Sequence, residues 1–478
     1  MGKYKYLANN IALFSISNFV SKILVFLLVP FYTNVLTTAE YGIADIFQVT
    51  LLLLVPALTI NMGEGALRFG IEKQNKRGSI LYIGLKFTLM ATALVACICF
   101  AASFFVSAQV KWYLFLFTIL FLANSLYEFL ILYFQGCEQV GIVVIGSILS
   151  TITMIACNLL FLLKLKIGLN GYLYSQMIAF AVAVITMFVL RALLRRKQSE
   201  DTSDFKKDDE LQKEMLDYGR PLILYSTGSW INNAADRYLV SAICSTAVNG
   251  IYGVAYKIPA ILTVFQRIFA QAWQMSATKS YKEDKSDEFF TTMYKVYHAF
   301  MVLACSFLIV IVRLMATFLF RKEFFSAWQY VPPLLISVVF GAMTGFIGSI
   351  CLAYKDSKAM GMATGIGAAV NVILNILSIP YLSAMGAAIA TAISYYVMYI
   401  LAFLKVRKYV KIRANYVRDY ISYLILIAQA VVMINDIGNV YIINITLFII
   451  VLVMYYREVI EIVKKLFCKL KGDDSKEE

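Results

Sequence analysis

Charged residues are scarce in this chain, and their scarcity excludes an ordinary soluble protein. Asp, Glu, Lys and Arg make up 15% of the 478 residues, whereas 61% are hydrophobic. Soluble domains carry about 25% charged and about 45–50% apolar residues. A globular core of this length does not need so much apolar surface, so the composition predicts a membrane protein.

Histidine is also scarce, and the chain offers no sequence pattern for a metal or cofactor site. His298 is the one histidine, and none of the eight cysteines combines with it at a metal-ligand spacing. Most of the cysteines lie in or beside apolar segments, where they are predicted to act as small packing residues. We therefore expect neither a metal nor a cofactor, and the chain is not predicted to be an enzyme.

Long apolar runs are abundant. About 20 consecutive apolar residues cross a bilayer as a helix, and the chain contains fourteen candidate spans. They are 10–32, 41–62, 80–106, 112–134, 141–163, 171–193, 219–241, 249–273, 290–318, 328–352, 361–379, 384–404, 417–434 and 439–456. The runs are continuous rather than alternating. The predicted fold class is an all-α polytopic membrane protein with about fourteen transmembrane helices.

The basic residues predict how these helices are oriented. With the N-terminus inside, the loops placed outside hold only five of the 43 Lys and Arg residues, and the inner segments hold most of the others. Because basic residues accumulate on the cytoplasmic side, both termini are predicted to be cytoplasmic. The same bias accounts for most of the net charge of +14, so no nucleic-acid partner is predicted.

Two matches at a similar spacing indicate an internal repeat. Tyr41-Gly42-Ile43-Ala44 resembles Tyr252-Gly253-Val254-Ala255, at an offset of 211 residues. At a similar offset, a second pattern of asparagine and glycine recurs: Asn158 and Gly171 are followed by Asn375 and Gly386. Six helices per repeat is an even number, so both repeats enter the membrane from the same side. The predicted lobes are therefore related by a pseudo-two-fold axis along the membrane normal, as in transporters that work by alternating access.

The repeat and the composition predict four segments along the chain. They are an N-terminal six-helix lobe (1–193), a cytoplasmic linker (194–218), a C-terminal six-helix lobe (219–404), and two extra transmembrane helices with a cytoplasmic tail (405–478).

Ionisable side chains deep in the predicted spans are costly, so they usually face a cavity and serve a function. The deep bases are Lys22, Lys86, Arg237, Lys257, Arg267 and Lys295, and the deep acids are Asp45, Glu128 and Asp236. Lys86 and Glu128 lie at similar depth on neighbouring helices, which predicts a structural ion pair. The remaining positive excess predicts an anionic guest, and a diphosphate diester, with about two negative charges, suits Lys22, Arg237 and Lys257.

Three further residues have alternative roles. Glu64 and Arg68 lie near a span end, where side chains commonly extend to the interface. His298 lies three residues after Lys295 and so shares its helix face. A histidine titrates near neutral pH and can relay protons, although a single histidine is more often a hydrogen-bonded packing residue.

Several segments together resemble the Wzx-type polysaccharide flippases, which move O-antigen or capsule repeat units. These belong to the multidrug/oligosaccharidyl-lipid/polysaccharide (MOP) exporter superfamily. The segments are Tyr41–Asp45, Leu54–Leu58, Gly63–Phe69, Asp236–Leu239, Gly250–Pro259 and Ala272–Trp273. The resemblance covers most of the chain, and the two helices beyond the repeat agree with fourteen-helix flippases.

The resemblance implies a function and a site. Its substrate would be an undecaprenyl-diphosphate-linked oligosaccharide, moved from the inner to the outer leaflet of the bacterial cytoplasmic membrane. The matching cationic positions of a central cavity are Lys22, Arg68, Arg237, Lys257 and Arg267, with Lys295 nearby; the candidates for coupling to H⁺ or Na⁺ are Asp45, Glu64, Asp236 and His298. Glycosyltransferases and a polysaccharide polymerase are the implied partners.

Three other functions remain open at this point. A lipid II flippase of similar fold is the nearest. A drug/cation antiporter should have an acidic rather than a cationic cavity. A membrane polysaccharide polymerase or acyltransferase should show a large outer catalytic loop or clustered histidines and carboxylates.

Overall fold

The computed structural model describes residues 26–198, 206–280, 286–354, 356–458 and 460. Every regular element in these ranges is helical. The chain forms two compact units, Met1–Trp230 (unit 1) and Ile231–Glu478 (unit 2), and the division falls inside one long helix. The predicted all-α polytopic class is confirmed.

The described part of unit 1 contains seven helices and the first part of an eighth. They are α1 (Val29–Val35), α2 (Thr38–Leu58), α3 (Met62–Glu72), α4 (Arg77–Ser103), α5 (Ala108–Gly136), α6 (Val140–Asn158), α7 (Gly168–Gln198) and α8 (Asp209–Ile243). A 3₁₀ turn, Gln74–Lys76, precedes α4, and a π-helical turn, Leu159–Lys164, continues α6.

Two hydrophobic clusters hold unit 1 together. In the first, side chains of α3, α4 and α5 pack with Met187 of α7 and with Leu211 and Met215 of α8. In the second, side chains of α2, α4 and α5 pack with the first half of α7. Burial of each large apolar side chain stabilises the packed helices by about 1.5–3 kcal/mol relative to exposure to water.

Local sequence fixes the start of α2. The hydroxyl of Thr37 accepts the backbone N–H of Glu40, and a carboxylate oxygen of Glu40 accepts the backbone N–H of Thr37 at 2.9 Å. This reciprocal cap satisfies backbone donors that a helix start leaves free. The other oxygen of Glu40 accepts the backbone N–H of Leu169 at 3.1 Å, which joins the starts of α2 and α7.

Part of the predicted linker 194–218 is helical. Helix α7 continues to Gln198, and α8 begins at Asp209. The backbone N–H of Leu211 donates to Asp208 at 2.9 Å, and Lys76 pairs with the same carboxylate at 2.7 Å. These two contacts hold the pKa of Asp208 below its ordinary value and fasten the start of α8 to the 3₁₀ turn.

Unit 2 contains the rest of α8 and nine further helices. They are α9 (Thr246–Ala255), α10 (Pro259–Ser280), α11 (Ser286–Val310), α12 (Val312–Leu319), α13 (Val331–Ala353), α14 (Ser357–Leu382), α15 (Ala384–Val406), α16 (Tyr416–Asn435) and α17 (Val440–Met454). A 3₁₀ segment, Lys322–Tyr330, precedes α13, which is the most buried of the candidate spans in the described residues.

Each unit contains a tight helical hairpin at the second repeat match. In unit 1, α6 packs against α7, and in unit 2, α14 packs against α15. A Cβ atom at Gly386 would lie 2.8 Å from the backbone of Ser378, and one at Gly171 would lie 2.9 Å from the side chain of Phe161. Glycine is therefore needed at both positions because the chain passes too closely for a larger residue.

The helical segments that contain the two Tyr-Gly-Ile/Val-Ala motifs are each interrupted after the motif. The chain between α2 and α3 includes Ile60 and Asn61 in the left-handed region, with φ of 54° and 52°. Helices α9 and α10 meet at a bend of 49°, where Pro259 begins α10. Proline cannot donate the backbone hydrogen bond that would continue α9. The predicted spans 41–62 and 249–273 are thus interrupted, and α3 continues to Glu72.

The membrane-crossing segments agree with the predicted count. Ten helical segments in the described residues are long and apolar enough to cross a bilayer, and the α9–α10 pair makes an eleventh. Helix α17 is apolar but shorter. The predicted span 219–241 lies in α8, which carries several charged residues, and most of the predicted span 10–32 lies outside the described residues. The described residues therefore contain ten or eleven of the fourteen predicted spans by length and composition.

Candidate functional site

The predicted cationic residues are distributed over both units. Lys22 lies outside the described residues. Of the others, Arg68 lies on α3 of unit 1, whereas Arg237 on α8, Lys257 between α9 and α10, Arg267 on α10 and Lys295 on α11 belong to unit 2.

A buried carboxylate organises the first part of unit 2. Asp236 on α8 is 1% exposed. Its Oδ2 accepts hydrogen bonds from the hydroxyls of Tyr252 at 2.6 Å, Tyr256 at 2.8 Å and Thr391 at 3.3 Å. We call these four residues the Asp236 cluster. All three donors are neutral, so hydroxyl groups supply these hydrogen bonds to the carboxylate.

Two asparagines of α14 extend the Asp236 cluster. The amide of Asn371 donates to Thr391 at 3.4 Å and to Ser394 at 3.2 Å, and Asn375 donates to Oδ1 of Asn371 at 2.9 Å. The Oδ1 atoms of Asp236 and Asn375 are buried and accept no hydrogen bond within the described part of the chain. Buried oxygens without a donor are uncommon, and these two lie in one connected polar network.

Arg237 lies at the edge of this cluster. Its guanidinium carbon lies 4.3 Å from the centre of the Tyr256 ring. The negative face of an aromatic ring attracts a cation, so this contact orients Arg237. The ring that orients Arg237 also carries the hydroxyl bound to Asp236, which brings the predicted residues Arg237 and Asp236 into one arrangement.

Lys257 follows Tyr256 in the break between α9 and α10. Its side chain is half-buried and makes no hydrogen bond or ion pair with the described residues. Arg267, which is exposed, and Lys295, which is half-buried, likewise have no polar side-chain partner in those residues. Unit 2 therefore carries three bases in predicted membrane spans that have no polar side-chain partner in the described residues.

The predicted charges of unit 1 are arranged differently. Arg68 pairs with Glu72 at 3.0 Å, and both side chains are about half exposed. Its guanidinium carbon also lies 4.7 Å from the centre of the Tyr218 ring. Glu64 is exposed on the same helix, whereas Asp45 on α2 is 8% exposed. Arg68 is thus partly neutralised by a neighbour on its own helix.

Unit 1 also buries polar side chains. Asn158 is fully buried and donates to the hydroxyl of Tyr32 at 2.8 Å. Gln48 on α2 donates to Gln176 on α7 at 2.5 Å. The predicted repeat partner of Asn158 is Asn375, and each of them is a buried, hydrogen-bonded asparagine on the first helix of its hairpin.

The predicted ion pair between Lys86 and Glu128 is wrong. The Nζ of Lys86 donates to Oε1 of Gln212 at 2.9 Å, and no salt bridge joins Lys86 to Glu128 in the described residues. Similar depth on neighbouring helices suggested the pair. The predicted linker 194–218 was not expected to be helical. Helix α8 begins within it and presents Gln212 to α4, where a neutral amide takes the place of the expected carboxylate.

His298 lies in a second polar cluster of unit 2. It is fully buried, with Nε2 2.7 Å from the hydroxyl of Tyr423 and Nδ1 3.2 Å from the hydroxyl of Tyr455. Asp419 lies 3.6 Å from Nδ1 and accepts hydrogen bonds from Tyr294 and Tyr455. We call these five residues the His298 cluster. The cluster joins α11 to α16 and to the end of α17. This arrangement is the one expected of a hydrogen-bonded packing histidine.

Sequence reasoning missed most of the partners in these clusters. Asn371 could have been found, because it lies one helical turn before Asn375, which the repeat had identified. Asp419 lies within the predicted span 417–434 but was not counted as a deep acid. The tyrosines gave no signal, since tyrosine is abundant in the chain, with 31 copies, and is common at membrane interfaces.

Comparisons with known proteins agree with the helical architecture. A model of the polysaccharide biosynthesis protein family matches residues 7–274. Among curated proteins, no relative matches. Among solved structures, the lipid II flippase MurJ in an inward closed conformation is similar with a TM-score of 0.70, 17% identity, and coverage of 94% of this chain and 100% of that chain.

Two transporters of the MOP superfamily show the same fold. An inward-facing multidrug resistance transporter of the MATE family has a TM-score of 0.68 and 14% identity, covering 81% of this chain and 94% of that one. A transporter from Pyrococcus furiosus, described as having a binding pocket of reverse polarity, has a TM-score of 0.57 and 14% identity, covering 84% and 92%. At such identities the likeness concerns the fold.

The family model covers more than half of the chain. The fold resembles that of MurJ over 94% of the chain. The chain belongs to the polysaccharide biosynthesis protein family, and it is a multi-pass membrane protein whose fold is similar to that of MurJ and of MATE transporters.

Proposed function

We propose that the protein is a flippase for undecaprenyl-diphosphate-linked oligosaccharides. It moves the repeat units of a surface polysaccharide from the inner to the outer leaflet of a bacterial cytoplasmic membrane by alternating access, with both termini in the cytoplasm. It acts between the glycosyltransferases that assemble the repeat unit and the polymerase that joins the units.

The observation that carries this proposal is the charge balance of unit 2. Lys257, Arg267 and Lys295 have no polar side-chain partner in the described residues, and the carboxylate of Asp236 in the same unit already accepts hydrogen bonds from three hydroxyls. Unneutralised bases in a membrane span are costly unless an anion or water reaches them. The diphosphate is the anionic group that all undecaprenyl-diphosphate-linked substrates share.

The same balance argues against a drug/cation antiporter. A cationic drug would meet three bases in unit 2 that have no polar side-chain partner in the described residues, whereas the buried acids Asp236 and Asp419 already accept hydrogen bonds from hydroxyl groups. The transporter with a pocket of reverse polarity shows that this fold accommodates more than one pocket charge. The polarity of the site therefore says more about the substrate than the fold does.

A lipid II flippase is the second candidate, and the similarity to MurJ favours it. Lipid II also carries a diphosphate, so the cationic residues suit both substrates. Depletion of the resident lipid II flippase separates the two candidates. A lipid II flippase would restore growth in such a strain, whereas a polysaccharide flippase would not.

We further propose that the coupling ion, H⁺ or Na⁺, binds at the Asp236 cluster. The Oδ1 atoms of Asp236 and Asn375 are two buried oxygens of this network that accept no hydrogen bond in the described residues, and oxygen atoms are the ligands that hard cations prefer. We expect Asp236→Asn to abolish coupled transport while the protein still inserts. Transport that depends on the sodium gradient at constant pH would assign Na⁺, and dependence on the pH gradient alone would assign H⁺.

Deletion of the gene, followed by complementation, tests the flippase proposal. We expect lipid-linked repeat units to accumulate on the inner leaflet and surface glycan to be lost. Complementation with Arg237→Ala or Lys257→Ala should fail at wild-type protein levels. The matched controls are Arg413→Ala and Lys411→Ala, because these exposed residues make only backbone hydrogen bonds.

Two results would contradict the proposal. If the deletion leaves surface glycan unchanged and increases drug sensitivity, the protein is not a polysaccharide flippase. If both Arg237→Ala and Lys257→Ala retain full export, the cationic residues do not bind the substrate.

A further inference from the structure

A basic pocket lies at one end of the α14–α15 hairpin, away from the residues assigned to transport. The cavity has a volume of about 470 Å³ and is lined by Asp356, Lys358, Ala359, Met362, Leu404, Lys405 and Lys408. It lies where α13 turns into α14 and where α15 ends. The orientation predicted from the basic residues places this end on the cytoplasmic side.

The charge of the pocket is positive. Lys358, Lys405 and Lys408 are exposed and have no hydrogen bond or ion pair with the described residues. The only acid in the lining is Asp356, which is engaged elsewhere: Tyr409 donates to Oδ2 at 2.8 Å and the backbone N–H of Ala359 donates to Oδ1 at 3.0 Å. Three bases against one acid leave an excess of two positive charges.

The rest of the lining is apolar and faces outward. Met362 is 48% exposed and Leu404 is 55% exposed. Each lies about one helical turn further into its span than a pocket lysine, Met362 after Lys358 on α14 and Leu404 before Lys408 on α15. The pocket therefore presents positive charge at the membrane surface and apolar side chains toward the acyl chains.

The local structure holds this arrangement in place. Asp356 caps the start of α14, and the rings of Tyr354 and Tyr409 stack with centroids 5.0 Å apart. These contacts tie the α13–α14 turn to the end of α15. The positive end of the α14 helix dipole also lies at the pocket, and it favours a bound anion.

We propose that this pocket binds the phosphodiester headgroup of an anionic phospholipid from the adjacent leaflet, of the phosphatidylglycerol class. Basic pockets between transmembrane helices on the cytoplasmic side suit such headgroups. A free phosphate ion would use the lysines but gain nothing from Met362 and Leu404, whereas a phospholipid uses both parts of the lining. The bound lipid would fasten the α13–α14 turn to α15.

Native mass spectrometry of the full chain in detergent tests the proposal, with palmitoyl-oleoyl phosphatidylglycerol and phosphatidylcholine as probes. We expect the wild-type protein to prefer phosphatidylglycerol and K405Q/K408Q to lose about thirtyfold in affinity for it, which corresponds to about 1 kcal/mol per lysine. The matched control is K411Q/R413Q, which removes the same charge from the same loop outside the pocket and should retain the preference.

Three outcomes would overturn the proposal. Equal losses in K405Q/K408Q and K411Q/R413Q would mean that diffuse surface charge, rather than the pocket, attracts the lipid. Retained preference in K405Q/K408Q would exclude the pocket altogether. Binding of undecaprenyl diphosphate, but not of phosphatidylglycerol, through Lys405 and Lys408 would assign the pocket to the transported substrate instead.

The test is independent of the proposed transport function. K405Q/K408Q leaves Arg237, Lys257 and Asp236 unchanged, so loss of lipid preference with normal substrate export would support the pocket alone. Loss of export in Arg237→Ala with normal lipid preference would support the transport site alone.

Discussion

Lys86 shows what a single charged residue in a predicted span needs from its surroundings. Its ammonium group donates to the neutral amide of Gln212 on α8, while Glu128 faces elsewhere and is exposed. The charge of Lys86 is therefore solvated by one hydrogen bond to a neutral group. Similar depth in neighbouring predicted spans does not tell which helix face meets which neighbour.

A double-mutant cycle measures this partner choice. We expect Lys86→Ala and Gln212→Ala to couple by about 1.5–3 kcal/mol, because a hydrogen bond to a charged group contributes this much. Lys86→Ala and Glu128→Ala should show almost no coupling. Apparent unfolding free energies of the purified protein in detergent supply the values, and stronger coupling to Glu128 than to Gln212 would contradict the structure.

At the same scale, unit 2 shows how far residues could be assigned from the sequence. Asp236, Arg237 and Lys257 were found because ionisable residues are conspicuous in apolar spans. Tyr252, Tyr256 and Thr391 were not, because neutral hydroxyls carry no such signal and their importance depends on which helix faces Asp236. The packing of α8, α9 and α15 determines which side chains face Asp236. This packing cannot be predicted from the local sequence pattern.

At the scale of elements, the start of α8 depends on one carboxylate. Asp208 accepts the backbone N–H of Leu211 and pairs with Lys76, and both contacts lower its pKa. A lowered pKa in the folded state means that the carboxylate stabilises the fold above its unfolded pKa of about 3.9. This contribution disappears as the pH falls through the folded value.

Two substitutions separate the cap from the charge. Asparagine is also a good cap, so Asp208→Asn should lose only the ion pair, about 0.2–1 kcal/mol at pH 7. Asp208→Ala should lose the cap as well, about 0.5–2 kcal/mol more. Melting curves measured from pH 7.5 down to pH 3.5 give the difference in melting temperature between the wild type and Asp208→Asn. We expect this difference to become smaller as the pH falls. A difference that becomes larger in acid would show that the carboxylate does not stabilise α8.

The two helices beyond the repeat are fastened to unit 2 by the His298 cluster. His298 on α11 contacts Tyr423 on α16 and Tyr455 just after α17. Removing the imidazole takes a hydrogen bond from the buried hydroxyl of Tyr423 and one of three from the buried hydroxyl of Tyr455, and each lost bond costs about 0.5–1.5 kcal/mol. We expect His298→Ala to increase hydrogen exchange in α16 and α17 and to leave α2–α6 unchanged.

The control for this substitution is Asn435→Ala. Asn435 is exposed on α16, and its side chain donates only to the carbonyl of Val431 on the same helix. It should leave exchange in α17 unchanged. If His298→Ala increased hydrogen exchange equally throughout the protein, or did not increase it anywhere, the His298 cluster would not be what holds α16 and α17 to the rest of unit 2.

At the scale of the whole molecule, the distribution of basic residues makes a topological prediction. The loop after α15 carries Lys405, Arg407, Lys408, Lys411 and Arg413, whereas the loop between α16 and α17 carries no basic residue. Reporter fusions at 410 and at 437 should therefore report opposite sides of the membrane, with the first in the cytoplasm. Two fusions on the same side would mean that α16 does not span.

The whole fold was more predictable than the details of its helices. Continuous apolar runs identify spans regardless of their neighbours, and so the class and the count of about fourteen followed from composition. The positions of the helix breaks are less predictable, because proline marks only one of the two. Pro259 coincides with the break before α10, but α2 continues past Pro56 and ends where Ile60 and Asn61 adopt left-handed conformations. Such conformations depend on tertiary contacts.

The π-helical turn Leu159–Lys164 affects how this family can vary in length. A π turn holds one more residue than an α-helical turn and so accommodates an insertion within a helix. Before it, Asn158 is held by Tyr32, and after it, Leu169 is held by Glu40. Both hydrogen-bonded residues lie outside the turn. Deleting one residue between them would therefore restore an α-helical turn and keep both hydrogen bonds. Relatives that differ by one residue in length should therefore differ here.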